Sequence, residues 1–357
     1  MQPITMPPNI IDHFYLGGER IAELRGVDMP SPRRPEEWLA ATTFRAGEPG
    51  IGPSRTADGT LLRDLIAADP VGWLGTADGP AGDNGILVKL LDPAQRLPVH
   101  VHPDRDFARS HLNCPYGKTE AWFVLATSGE QPSVWLGFSE DVDPDELSRR
   151  VEAQDSEWML SRMNRIDVRP GDGILVPAGT AHAIGEGVFV AEVQEPSDFS
   201  ILLEWSVTTA TREESHLDLG MPLALSATNH RAIPAAELAA LVVHTNPDST
   251  SAAPLHLLDD AADAFFRLDL LAPAPGSAPS LPAGFAVVVV LEGAGQLQSP
   301  AGRVEITRGQ VLAVPSGFGP WAASGDVRAL ACRPGAGWPQ TLEPTAASGA
   351  DAASGRS

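Results

Sequence analysis

Two stretches of this chain share one shape, and together they restrict its fold more than any other feature. Gly171-Asp-Gly-Ile-Leu-Val-Pro177-Ala-Gly179 and Gly309-Gln-Val-Leu-Ala-Val-Pro315-Ser-Gly317 each set a short apolar run between a glycine and a Pro-x-Gly turn. A run that short, closed by turn residues on both sides, fits a buried strand and leaves no room for a helix. Similar apolar runs recur at 85–91, 121–125, 133–138, 173–176, 188–193, 200–205 and 285–291, with Gly and Pro between them at short intervals. That rhythm predicts a β-sandwich or barrel, and its repetition predicts that the unit occurs twice. Helical patterns are confined to about 60–69, 143–153 and 234–241. The second begins Asp143-Pro144-Asp145-Glu146, an N-cap with proline at N1 and acid in the first turn, and reads as a helical insert between strands.

The chemistry gathers around the first copy. Alternate side chains of a strand share a face, so His100 and His102 point the same way, and His182 arrives from a second strand behind the Pro-x-Gly turn. Glu120 opens an apolar strand between these segments. Three imidazoles and a carboxylate suit Zn²⁺, Mn²⁺, Fe²⁺, Co²⁺ or Ni²⁺, with positions left open for substrate oxygens or water. A lone His-x-His is a weak signal, whereas the ordered set of four is a strong one. His13, His111, His216, His230, His244 and His256 are expected to be exposed or hydrogen-bonded. Glu192 interrupts the apolar run 188–193, and a charge there is costly unless it is used, so it is expected in the pocket. Lys118 has two roles open to it: orienting a substrate hydroxyl, or pairing with a carboxylate such as Glu120. In the second copy Pro320 stands where His182 stands in the first, and no histidine follows residue 256, so that copy is expected to be metal-free and structural.

The spacing Gly-(x)5-Pro-x-Gly-xx-His at 171–182 resembles the second motif of the cupin superfamily, and His100-Val-His102 followed by Glu120 resembles the first. His102-Pro103-Asp104, an interval of 17 residues before Glu120, and Gly117-Lys118-Thr119-Glu120 resemble the type I mannose-6-phosphate isomerases. Pro35-Glu36-Glu37-Trp38 and the segment 60–70 extend the likeness upstream, and Glu192 to Asp198 extends it downstream, so that about the first 205 residues are covered. The resemblance implies a mainly β fold of two cupin barrels (double-stranded β-helix, or jelly roll) with a few helical inserts. It implies a metal, Zn²⁺ first, held by His100, His102, Glu120 and His182. It also implies Glu192 as the base of an aldose–ketose isomerase working through an enediolate, with Lys118 and Asp198 assisting. The substrate implied is mannose 6-phosphate and fructose 6-phosphate, or a related sugar without phosphate. The chain departs from the family pattern in the site: His100 stands where Gln is usual, Pro98 where Ser is usual and Leu202 where Arg is usual. Three histidines with one glutamate also resemble the ligand set of cupin dioxygenases using Fe²⁺ or Ni²⁺, and a non-catalytic sugar-binding or regulatory cupin is a further alternative.

The expected organisation is residues 1–80 completing the first barrel, 81–215 the metal-binding cupin domain with its helical insert, 216–255 a linker with a short helix, 256–340 a degenerate metal-free cupin domain, and 341–357 a disordered tail. The 357 residues, 43% of them hydrophobic, suffice for two packed domains. A net charge of −21 with no basic cluster argues against nucleic acid or an anionic membrane surface as partner. The start Met1-Gln-Pro-Ile-Thr-Met-Pro-Pro lacks the pattern of a signal peptide, and two cysteines, Cys114 and Cys332, fit a reducing compartment. A cytoplasmic monomer or homodimer acting on a small sugar or sugar phosphate is the expectation.

Overall fold

The structure, a computed structural model, describes residues 1–29 and 31–342, so the tail expected from 341 lies almost wholly outside the described residues. Its body is three antiparallel sheets. A seven-stranded sheet runs, edge to edge, Val242–His244, Asp172–Val176, Glu120–Thr127, Val188–Gln194, Leu87–Leu91, Glu36–Leu39, Ile10–Ile11. Facing it, a five-stranded sheet runs Ile201–Leu202, His100–Val101, His182–Ile184, Ser133–Phe138, Met163–Asp167. The two form a jelly-roll barrel whose interior is filled at one end by Trp122, Val124, Ile174 and Val190 against Val134, Leu136 and Ile184.

The seven-stranded sheet is buried on both faces, which is why Leu87–Leu91 reads as a nearly continuous apolar run rather than an alternating one. Lys89 and Leu91 turn into the barrel; Val88 and Leu90 turn the other way and pack against the third sheet. That eight-stranded sheet includes Phe266–Leu271, Ala286–Ser299, Val311–Val314 and Trp321–Pro334, and it curls around an apolar interior of its own. On the outer face of the five-stranded sheet, the helices Pro144–Glu152, Ser156–Ser161 and Met221–Leu225 cover Val99, Val101, Ala181 and Ala183.

Several sequence expectations change here. Ile4–Thr5 pairs with Val311–Val314, so the first strand joins the C-terminal sheet rather than completing the first barrel. Within the segment read as a linker, Val242–His244 is an edge strand of the seven-stranded sheet, paired to Asp172–Val176. Helices are also more numerous than the sequence pattern indicates: Arg20–Arg25, Pro70–Leu74, Arg105–His111, Ser156–Ser161 and Met221–Leu225 each make one or two turns. The run at 200–205 forms only the two-residue strand Ile201–Leu202.

Candidate active site

Register places the polar residues of the first barrel in a row. Trp38 pairs with Lys89, Lys89 with Glu192, and Glu192 with Trp122, so four neighbouring strands aim these side chains into the barrel side by side. Glu36 and Glu120 lie two residues along their strands from Trp38 and Trp122 and share that face. From the opposite sheet, His182 pairs directly with His100, and His100 with Leu202. His102 follows at the strand end, where its carbonyl accepts from Gly179 N–H at 2.7 Å. Gly179 holds φ +82°, a conformation a β-carbon disfavours, and the turn it makes delivers His182.

The three imidazoles are buried, with one nitrogen of each lying within 4.8 Å of the other two. Each is oriented the same way: Nδ1 lies 2.8 Å from Pro98 O in His100, 2.8 Å from Phe199 O in His102 and 2.7 Å from Thr180 O in His182. A carbonyl only accepts, so each Nδ1 carries the proton and each Nε2 presents a lone pair to the common centre. Burial holds His100 well below the usual imidazole range and His102 down at about 3, the Lys118 ammonium adding to the effect on His102. Both rings are therefore neutral, the form a metal needs. Glu120 joins them, Oε2 at 3.0 Å from His102 Nε2 and Oε1 at 3.3 Å from His182 Nε2, while Trp122 Nε1 donates to Oε1 at 3.0 Å. Burial works to raise this carboxyl, but Lys118 and the histidines overcome it and keep it well below the usual range. His182 Nε2 and Glu120 Oε2 have no hydrogen-bond partner although both are buried, the condition of donors made for a cation. Lys118 Nζ stands 2.9 Å from His102 Nε2 and 3.3 Å from Glu120, and it must swing off that nitrogen for His102 to ligate.

Beside this cluster lies an acid–base group. Lys89 is 3% exposed, with Nζ 3.5 Å from Glu36, 3.6 Å from Glu192 and 3.8 Å from Asp198, and 5.0 Å from the centre of a Trp38 ring. Burial favours the neutral amine, yet Glu36, Glu192 and Asp198 outweigh it and raise the pKa, so Lys89 stays charged. Glu36 accepts from Tyr15 Oη at 2.7 Å and Trp38 Nε1 at 3.0 Å; burial raises it, but Lys89, His13 and these donors bring it well below its ordinary value. Glu192 ends differently. Burial first, then repulsion from Glu120, push its carboxyl up to about 7 against the pull of Lys89 and Lys118.

All seven residues singled out from sequence thus line or adjoin one cavity: the four ligand candidates, Lys118, Glu192, and Asp198, which accepts from Ala46 N at 3.2 Å. The sequence did not single out Lys89 or Tyr15, and Glu36 and Trp38 stood out only within the segment that extends the family likeness. His13, expected to be exposed or hydrogen-bonded, lines the cavity with Nε2 3.3 Å from Glu36. The signal was available, because Lys89 breaks an apolar run in the same way as Glu192.

With this geometry fixed, the chain can be set beside known proteins. It superposes on the mannose 6-phosphate isomerase of Bacillus subtilis with a TM-score of 0.72, covering 93% of this chain and all of that one at 21% identity. The fold is that of the mannose-6-phosphate isomerases. A second such isomerase, whose crystal structure contains zinc and yttrium, matches with a TM-score of 0.70 at 18% identity over 94% of this chain and all of that one. In sequence, the chain is 33% identical over 196 residues to the probable mannose-6-phosphate isomerase GmuF of Bacillus subtilis, a match spanning 55% of this chain and 59% of that one. It is 31% identical over 182 residues to the mannose-6-phosphate isomerase of Streptococcus mutans, spanning 51% of this chain and 54% of that one. The sequence match therefore spans little more than half the length of these curated relatives. No protein-family model matches the chain. Among the described residues no helix is long and apolar enough to cross a membrane.

Proposed function

We propose that the protein is a metal-dependent aldose–ketose isomerase of the mannose-6-phosphate isomerase type, acting in the cytoplasm on a hexose or hexose phosphate. The observation that carries this reading is Glu192: a buried carboxyl poised at about 7, beside three neutral imidazoles whose Nε2 atoms converge. A carboxylate at that value both takes and returns a proton near neutral pH.

His100, His102, Glu120 and His182 are the residues that would hold the ion, and their nitrogen and oxygen donors suit Zn²⁺ first. A bound divalent ion would polarise the neighbouring carbonyl and hydroxyl oxygens of the sugar. Glu192 removes the proton from C2 of the aldose, and the electron pair moves to give an enediolate. The hydroxyl proton passes from O2 to O1, and Glu192 returns its own proton to C1, which yields the ketose. Lys89 lies 3.6 Å from Glu192 and brings a fixed positive charge to the side of the row where negative charge develops. Asp198 and Lys118 line the same cavity and position sugar hydroxyls.

Three histidines with one glutamate also suit Fe²⁺ and oxygen chemistry, which would need no internal base. Metal-replete protein incubated with mannose, mannose 6-phosphate, fructose and fructose 6-phosphate, followed by NMR for aldose–ketose conversion, separates the readings. Conversion that stops on chelation and returns with metal supports the isomerase; oxygen uptake that persists in Glu192→Gln, without conversion, refutes it.

A further inference from the structure

The charges around the metal cluster bear on which sugar the site takes, an inference that rests on the isomerase reading. The cavity at the cluster is narrow, about 40 Å³, and it continues into a second cavity of about 260 Å³ whose wall it shares at His13, Phe14, Asp198, Ser200 and Leu202. Ligand sites run from about 300 Å³ upward, so a hexose bound at the cluster must extend its distal carbons into the second cavity. No cation waits there unpaired among the described residues. Arg45, the one arginine or lysine on that wall among the described residues, is 3.2 Å from Glu48 and donates to Asp12 O at 2.7 Å. Lys89 and Lys118 face carboxylates within 4 Å. Six carboxylates, Glu36, Glu48, Glu120, Glu192, Asp198 and Glu214, line the two cavities against these three cations. The surface between them is apolar or hydroxylic: Phe14, Leu202 and Leu217, with Ser200 and Thr209. Arg63 stacks on Phe44 at 4.3 Å and faces a third cavity of about 310 Å³, which touches the cluster cavity at Asp198 and the second cavity at Ala46 and Asp198. A phosphate dianion on the distal carbon would meet carboxylates and carbon where a phosphate site presents free arginine or lysine.

We infer that the site takes an uncharged sugar, with its C1 and C2 oxygens at the metal cluster and its distal hydroxyls against Phe14, Ser200, Thr209 and Leu202. Titration of the full-length, metal-replete protein by NMR with mannose and mannose 6-phosphate, and with fructose and fructose 6-phosphate, tests it. The free sugar is expected to bind at least tenfold tighter than its phosphate ester in each pair. Leu202→Arg, which adds a guanidinium on the shared wall, is expected to move that ratio at least tenfold toward the ester. Tighter binding of the ester by the unaltered chain overturns the inference, and so does a ratio indifferent to Leu202→Arg. Affinity is read whether or not turnover occurs. A protein that binds free sugar but converts none therefore refutes the isomerase reading and leaves this one standing.

Discussion

Glu192 is the base of the proposed reaction, and its titration has a sign that can be checked. Its ordinary value is 4.5 and burial lifts it to about 7, so the folded state holds this proton more tightly than the unfolded chain does. Stability therefore falls as pH rises from about 4.5 to 7, by on the order of 3 kcal/mol, and stays lower above that. Glu192→Gln removes the penalty. The metal-free variant is expected to melt higher than the metal-free parent at pH 8 and close to it at pH 5; equal melting at pH 8 would contradict the raised value. For catalysis the sign reverses, since the base must be ionised: kcat/KM of the metal-replete protein is expected to decline on acidification as Glu192 takes up its proton, at a pH below the metal-free value because a bound cation offsets the repulsion from Glu120, and a profile with no acid-side decline would exclude Glu192 as the base. Lys89 is the counterpart. Lys89→Met leaves Glu36 and Glu192 buried, and Asp198 half-buried, without their shared cation, and breaking such a pair costs about 3–5 kcal/mol in urea unfolding at pH 8. A loss below about 1 kcal/mol would show that the carboxylates relax by taking up protons.

At the scale of elements, the strands were readable because two-sided burial leaves unbroken apolar runs, and turns of Gly and Pro mark their ends. His100, His102 and His182 were readable for a related reason, since strand alternation and a Pro-x-Gly turn fix direction without knowledge of tertiary contacts. The short helices escaped because five to seven residues complete too few turns to display a period, although Asp69, Asp104 and Asp155 cap three of them. The strand Val242–His244 escaped because its identity depends on its partner, Asp172–Val176. Gly173 in that partner strand shows how tightly neighbouring elements meet. A β-carbon there would stand 1.8 Å from Leu257 O, a backbone atom that cannot move aside alone. Gly173→Ala is expected to destabilise the fold by about 1–3 kcal/mol through overpacking, read from the urea midpoint; an unchanged midpoint would mean that the Leu257 segment is free to retreat.

Across the whole molecule, the seven-stranded sheet is shared property. One face lines the barrel that carries the metal cluster, and the other supplies Val88, Leu90, Phe123 and Leu175 to a core completed by Leu268, Val287, Val289 and Leu330 of the C-terminal sheet. The C-terminal barrel thus supports the back of the strands that carry Lys89, Glu120 and Glu192. Calorimetry of the metal-free protein is expected to show one unfolding transition rather than two, since the two barrels share the core packed between their sheets. Two separated transitions would show that the barrels fold independently. Proton transfer by Glu192 beside the three histidines leaves a direct trace in solvent exchange. Metal-replete protein is incubated in D₂O with mannose, fructose and their 6-phosphates, and deuterium at C1 and C2 is followed by NMR. Incorporation is expected with at least one of these sugars, with a loss of about 10²-fold or more in Glu192→Gln. Incorporation that survives the substitution, or none with any of the four when metal is bound, contradicts proton transfer by Glu192.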